Sequence, residues 1–436
     1  MSGLTEQRGN GVDPGLAVDR FLETRRTELN ELIGTLVSID SQVPPYADER
    51  AIVDYLKSEV ARRGLGTTEV IGKDPQRPNL LVRIAGSGDG PSLMFNGHVD
   101  TKPPGDARDQ WRSDPLTPHL SDGRMYGLGT SDMKGAVAAM IMAMTALHDL
   151  GIRLGGDVVL ALVADEEAGA VFGSRFVAEQ LGWIDACLIG EPSGIEDDWD
   201  GIHLVSRGVV GFRIIVRGTQ MHSSLSRQLP SVNASVKAAE LMVRMQDELR
   251  FEHQPHALDG SGPTLNVGVI MSGGVGFGTY SGRAEFGCDL RTVPSMTQAG
   301  VASAIESWLA ACRSADPELD VEFAFEPGIE WVPPAEISAS HPLVDAARGA
   351  TAEVLGRELP LVVFPGGTDA PWYSERGIQT IPSLGPGVLS RCHGPNEYVS
   401  LQAVFDAARM YARIAMAYCG VADVDDLRGA SSAGSA

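Results

Sequence analysis

Five short clusters mix side chains that can bind a cation or move a proton: GHVD (97–100), TSDMKG (130–135), DEE (165–167), GEPS (190–193) and CHGPNEY (392–398). Together they hold the imidazoles of His98 and His393 and the carboxylates of Asp100, Asp132, Glu166, Glu167 and Glu191. Gathered in one place, so many acids would repel one another or take up protons unless a cation balanced them. Mixed imidazole and carboxylate donors suit zinc, and also cobalt or manganese. Two histidines and three acids exceed the three protein ligands of one open catalytic zinc. They suffice for two divalent ions about 3.5–4 Å apart that share a bridging carboxylate. Taken singly, each residue has a plainer reading. An Asp at a helix start is an N-cap, a Glu pair in a loop is solvated, and a His after a strand is seldom a ligand. Their coincidence at strand ends carries the metal reading.

The elements that must position these residues follow from hydrophobic periodicity. Residues 16–36 and 48–63 have helical spacing, and 79–84 and 92–96 are strand-like. Residues 134–150 form a helix rich in Ala and Met, 157–164 a fully buried strand, and 185–189 another, after a helix near 171–180. This rhythm predicts an α/β domain with a mostly parallel, helix-covered sheet. Four of the five clusters follow a strand directly, and Asp132 opens a helix. In an open parallel sheet the carboxyl ends of the strands share one edge, where ligands bind. Residues about 300 positions apart can therefore meet there.

The rhythm changes near residue 208. Strands at 212–217, 264–271, 283–291 and 321–325, with helices at 232–250 and 298–313, predict an inserted α+β domain of two helices on an antiparallel sheet. The expected domains are 15–207 and 328–422 for the catalytic part and 208–327 for the insertion. Segments 1–14 and 423–436 read as disordered. From residue 341 the α/β pattern resumes, with strands at 361–364 and 380–384 and a last helix at 401–418. No internal repeat is visible.

Composition narrows the function further. The net charge of −22 argues against nucleic acid or an anionic membrane as partner. The five cysteines are odd in number and widely spaced, which fits a reducing cytoplasm rather than a disulfide framework. No apolar run is long enough to span a bilayer, and the N-terminus lacks a signal-peptide core. No G-x-G-x-x-G follows the first strands and no phosphate-binding loop occurs, so a nucleotide-binding enzyme is disfavoured.

Over residues 21–418 the sequence resembles the co-catalytic zinc deacylases and peptidases, among them acetylornithine deacetylase, succinyl-diaminopimelate desuccinylase, aminoacylase and the glutamate carboxypeptidases. The run from GHVD through PPGD, Trp111, DGRMYGLG and SDMKG looks most like the first two. The resemblance implies that His98 and Glu191 bind one metal, Glu167 and His393 the other, and that Asp132 bridges them. It implies that Asp100 orients His98 and that Glu166 is the general base. It also implies a cis peptide at Asp132–Met133.

By the same resemblance the inserted domain is a lid and dimerisation domain. His222 in QMHSS would polarise the scissile carbonyl across a homodimer. Asn266 and Arg291 match substrate-binding positions, an Arg suiting a carboxylate grip. Gly367 and Thr368, in GGTD, would line the site. Where the family usually has Asn-x-x-Pro after Gly273-Gly274, this sequence has GVGFGTYSG, so one pocket wall differs. The reaction implied is hydrolysis of an N-acyl amino acid with a free carboxylate, by metal-activated water, in amino-acid metabolism. A dipeptidase or carboxypeptidase needs the same centre. A non-catalytic binding protein on this scaffold would be expected to have lost ligands, and none is lost.

Overall fold

The computed structural model describes residues 13–258 and 260–424. In chain order the elements used below are the helices α1 (Pro14–Thr24), α2 (Arg26–Ser38) and α3 (Arg50–Arg62), the strands β1 (Thr67–Ile71), β2 (Asn79–Ile84) and β3 (Leu93–His98), helix α4 (Gly135–Asp149), and strands β4 (Val158–Val163) and β5 (Ala186–Ile189). They continue with β6 (Gly208–Arg217), α5 (Ala234–Glu248), β7 (Thr264–Gly273), β8 (Arg283–Thr292), α6 (Gln298–Ala315), β9 (Asp320–Phe325), β10 (Gln379–Ile381) and α7 (Leu401–Cys419).

The chain divides into two compact units. Among the described residues one comprises 13–204, 337–361 and 372–424; the other comprises 205–258, 260–336 and 362–371. The expected insertion ended at residue 327. The second unit runs on to 336 and takes back a ten-residue segment, 362–371.

The first unit is built on a six-stranded sheet in the order β1-β2-β4-β3-β5-β10. Strands β4, β3, β5 and β10 are mutually parallel, while β2 runs antiparallel to both β1 and β4. Strand β1 has no counterpart in the sequence reading, because TTEVI is short and largely exposed. Strands β3 and β4 are buried along their whole length, and β4, VVLALV, is accordingly apolar throughout. Helix α4 is buried from Gly135 to Leu147, so it is apolar on every side. The register pairs His98 with Val163 and Asn96 with Ile189. The carboxyl ends of β3, β4 and β5 therefore lie side by side.

Three local expectations are corrected. Residues 16–36 are two helices, because Arg25 leaves the helical region at φ −117°, ψ 17°. The ends read as disordered lie mostly outside the described residues. Within them, α1 starts at Pro14, where a proline's missing N–H costs nothing, and the Asp13 carboxylate accepts the N–H groups of Gly15 and Leu16. Residues Val421–Val424 pair antiparallel with Ile152–Leu154. No disulfide joins the five cysteines, and no helix among the described residues is long and apolar enough to cross a membrane.

The second unit is an antiparallel sheet in the order β7-β8-β6-β9, with β7 at its edge. Helices α5 and α6 contribute Leu241, Met245, Ile305 and Leu309 to one buried cluster with Phe212, Phe286 and Leu290. Alternation along β8 sends Phe286, Cys288 and Leu290 to that core and Asp289 and Arg291 to the opposite face.

Candidate metal centre

Strand β3 ends on His98, which is fully buried. Its Nδ1 donates to the backbone carbonyl of Asp100 at 3.0 Å, which turns Nε2 toward the carboxylates. Nε2 stands 2.8 Å from Asp132 Oδ1 and 3.6 Å from Glu191 Oε1. Asp132 sits in the turn Thr130–Lys134 that leads into α4, at φ −125°, ψ 88°, followed by a cis peptide to Met133. Gly129 opens that turn at φ 76°; a Cβ there would lie 2.5 Å from Thr101 Cγ2. The turn thus points the Asp132 carboxylate both ways. Oδ1 faces His98, and Oδ2 lies 3.3 Å from His393 Nε2.

Glu167 follows β4 in a one-turn helix, Glu166–Ala168. Its Oε1 lies 2.9 Å from His393 Nε2. Asp165 sets up the turn in a left-handed conformation, φ 64°, and its Oδ1 is held 2.8 Å from Arg77, which itself pairs with buried Glu49. Glu166 is half-buried beside Glu167. Two triads result, His98–Asp132–Glu191 and Asp132–Glu167–His393, and within each the donor atoms lie within 4.8 Å of one another. They share Asp132.

The electrostatics are those of a site shaped for cations. Burial opposes a charge on His98, but Asp100, Asp132 and Glu191 outweigh it and raise its pKa well above the ordinary value. Burial likewise opposes His393, yet Glu167 and Asp132 push it up to about 11. Burial and then the charge of Asp132 raise Glu191, with Glu166 and Glu167 adding to the effect. Burial would raise Asp132 too, but its two imidazole partners bring it below the usual carboxylate range. The nitrogen and oxygen donor set of the two triads fits divalent cations.

Residues 94–417 match the peptidase family M20/M25/M40. The chain belongs to this family. It is a hydrolase of amide bonds, with a mixed α/β fold. Succinyl-diaminopimelate desuccinylase of Alkalilimnicola ehrlichii is 31% identical over 330 residues, covering 74% of this chain and 82% of that protein. Acetylornithine deacetylase of Pasteurella multocida is 28% identical over 391 residues, covering 87% and 94%. The crystal structure of human carnosine dipeptidase 1 superposes with a TM-score of 0.74 at 18% identity, covering 94% and 99%.

In this M20 chain the Asp100 carboxylate lies between His98 and the Glu166–Glu167 turn. It stands 3.6 Å from His98 Nδ1, and its two oxygens accept the N–H groups of Glu166 and Glu167 at 3.2 and 3.0 Å. It braces the Glu166–Glu167 turn, and its backbone carbonyl, 3.0 Å from Nδ1, is the nearer Asp100 group to the imidazole.

The remaining expected site residues belong to the second unit. His222 is exposed, and its Nδ1 accepts the Ser224 N–H at 3.3 Å, which leaves the proton of a neutral ring on Nε2. Arg291 donates from Nε and Nη2 to Asp289, both at 2.8 Å, which leaves the outer edge of the guanidinium, Nη1 and the second N–H of Nη2, outside that pair. Asn266 is exposed and lies opposite Asp289 on the same sheet face. Buried Thr368 accepts the Ala370 N–H at 3.2 Å, a capping bond for the short helix Ala370–Ser374. A Cβ on Gly367 would meet Val209 Cγ2 at 2.7 Å.

Two residues of the first unit carry structure that residue types alone do not announce. Buried Glu397 accepts the N–H groups of Gly129, Ser131 and Asp132 at 3.0, 2.9 and 3.2 Å. Burial and the charge of Asp132 push its pKa up to about 8. Lys102 lies against Glu167. Glu397 stands inside the CHGPNEY cluster, and Lys102 is two residues past Asp100, so position marks both as candidates.

Proposed function

We propose that this chain is a deacylase that hydrolyses the amide bond of an N-acyl amino acid, of the acetylornithine deacetylase and succinyl-diaminopimelate desuccinylase type. The observation that carries this reading is the pair of donor triads hinged on Asp132, with Glu166 next to Glu167. The relatives named for deacetylation and desuccinylation support the substrate class. His98, Asp132 and Glu191 would hold one divalent ion, and Asp132, Glu167 and His393 the other, with zinc favoured and cobalt or manganese compatible. When bound, the ions supply Lewis acidity toward the scissile carbonyl and toward water.

The chain's own groups do the rest. Glu166, braced through its N–H by Asp100, takes a proton from the attacking water and passes it to the departing amine. The C–N bond breaks, the acyl group leaves as a carboxylate, and the amino acid leaves as an amine. His222 donates Nε2–H to the carbonyl oxygen as negative charge builds there. Asn266, the outer Nη1/Nη2 edge of Arg291, Gly367 and Thr368 bind the substrate and its free carboxylate.

The second unit would act as lid and dimerisation domain. In its support, edge strand β7 exposes Val269, Ile270 and Met271, and helix α5, which packs on the same sheet, exposes Val236 and Val243. An uncovered apolar edge of this kind is a surface that a second copy can extend. The working location would be the cytoplasm. The test is a panel of N-acetyl, N-succinyl and N-formyl amino acids and dipeptides, assayed with zinc and with cobalt. An N-acyl amino acid should be the fastest substrate; a dipeptide turned over faster would make the chain a peptidase.

A further inference from the structure

The chain beyond β3 runs extended, so His98, Asp100 and Lys102 alternate in step, and two of them grip the turn that carries Glu166 and Glu167. Asp100 takes the turn's N–H groups, as described. Lys102 Nζ donates to the backbone carbonyl of Glu167 and lies 3.4 Å from Glu167 Oε2. The other oxygen, Oε1, faces His393 at 2.9 Å. Glu167 is thus held between an ammonium on one oxygen and an imidazole on the other. Among the described residues no Lys or Arg is ion-paired with His98, Asp132 or Glu191, so the two triads are electrostatically unequal.

We propose that Lys102 is a positioning residue that keeps Glu167 to single-oxygen ligation and makes the Asp132–Glu167–His393 position the weaker of the two cation positions. The inference rests on the two-metal reading above. The backbone-carbonyl anchor is central to it, because that bond survives when the Glu167 carboxylate turns to a cation. The ammonium then stays close to a divalent charge, in a site where burial weakens screening.

The experiment is a zinc titration of chelator-stripped full-length protein against a competing chromophoric chelator. Wild type is compared with Lys102→Met, Lys102→Gln and Lys102→Arg. Wild type should take up two zinc ions in two steps. Met and Gln should tighten the weaker step by about tenfold or more and move the stronger step by less than about threefold, while Arg, which keeps the charge, should stay near wild type. A weaker step that is unchanged or loosened in Met and Gln overturns the role given to Lys102 while leaving the two-metal reading intact. A wild-type protein that binds fewer than two ions overturns both.

Discussion

The backbone N–H of Asp132 donates to the Glu397 carboxylate at 3.2 Å, although 265 residues of chain separate them. The same carboxylate takes the N–H groups of Gly129 and Ser131, so one buried side chain sets the bend that presents the shared ligand. Changing Glu397 to Ala strands three buried donors. Unfolding free energy should fall by about 3 kcal/mol or more, read by urea denaturation. Bound metal should fall with it. Gln, which keeps one acceptor oxygen, should fall between the two. A Glu397→Ala protein with wild-type stability and metal content would show that the bend holds without it.

Glu166→Gln separates proton transfer from ligation. The rate constant kcat should drop by roughly 10²–10⁴-fold or more, since one group serves both proton steps. Metal content by elemental analysis should stay at the wild-type value. Loss of metal with recovery of rate on resupply would exchange the roles of Glu166 and Glu167.

Metal removal should act on stability as well as activity. A chelator should abolish hydrolysis and lower Tm, because ions that bind only the folded state stabilise it by mass action. Adding back zinc or cobalt should restore both. Differential scanning calorimetry with and without chelator provides the check, and an unchanged Tm with intact activity would remove the metallohydrolase reading.

His203 gives a pH dependence away from the metal donors. Burial pushes its pKa from the ordinary 6.5 down to about 4. The folded protein keeps it neutral, while the unfolded chain protonates it below 6.5. Its contribution to stability is therefore fully present above that pH and is lost as pH falls toward 4, by about 3 kcal/mol in total. The difference in urea midpoints between wild type and His203→Phe should follow this curve; a difference independent of pH would contradict it.

Assembly is tested by complementation. His222→Ala and Glu166→Ala subunits, each nearly inactive, are mixed under conditions that allow exchange. If His222 acts across a homodimer, half the sites of a mixed dimer carry neither defect and activity returns. Heterodimers seen by mass spectrometry without activity would place His222 in cis or outside the reaction.

Much of the site is legible in the sequence because strand ends are. His98, Glu167 and Glu191 each follow a buried apolar run, and a parallel sheet leaves them one shared edge. Lys102 and Glu397 are harder to read because their partners are backbone groups, and no residue type marks which N–H or carbonyl will be nearby. Arg291 illustrates a different limit. Its type suggests a carboxylate grip, yet Asp289, two positions earlier on the same strand face, already takes half the guanidinium. The return of 362–371 to the second unit arises from tertiary packing and leaves no composition shift. Strand β1, short and largely exposed, has too little apolar signal to be seen at all.

The order of the metal donors along the chain bears on synthesis. His98, Asp132 and Glu191 have all left the ribosome once residue 191 has been made and cleared the exit tunnel. His393 follows about two hundred residues later, after the whole second unit and after β10, which closes the first unit's sheet against β5. A nascent chain stalled before that point lacks both His393 and Glu397, whose carboxylate accepts the N–H groups of the turn carrying Asp132, so neither candidate cation position is complete. Prematurely terminated products would therefore lack the brace of the shared carboxylate as well as the second imidazole, and the cell gains no hydrolase from such a fragment.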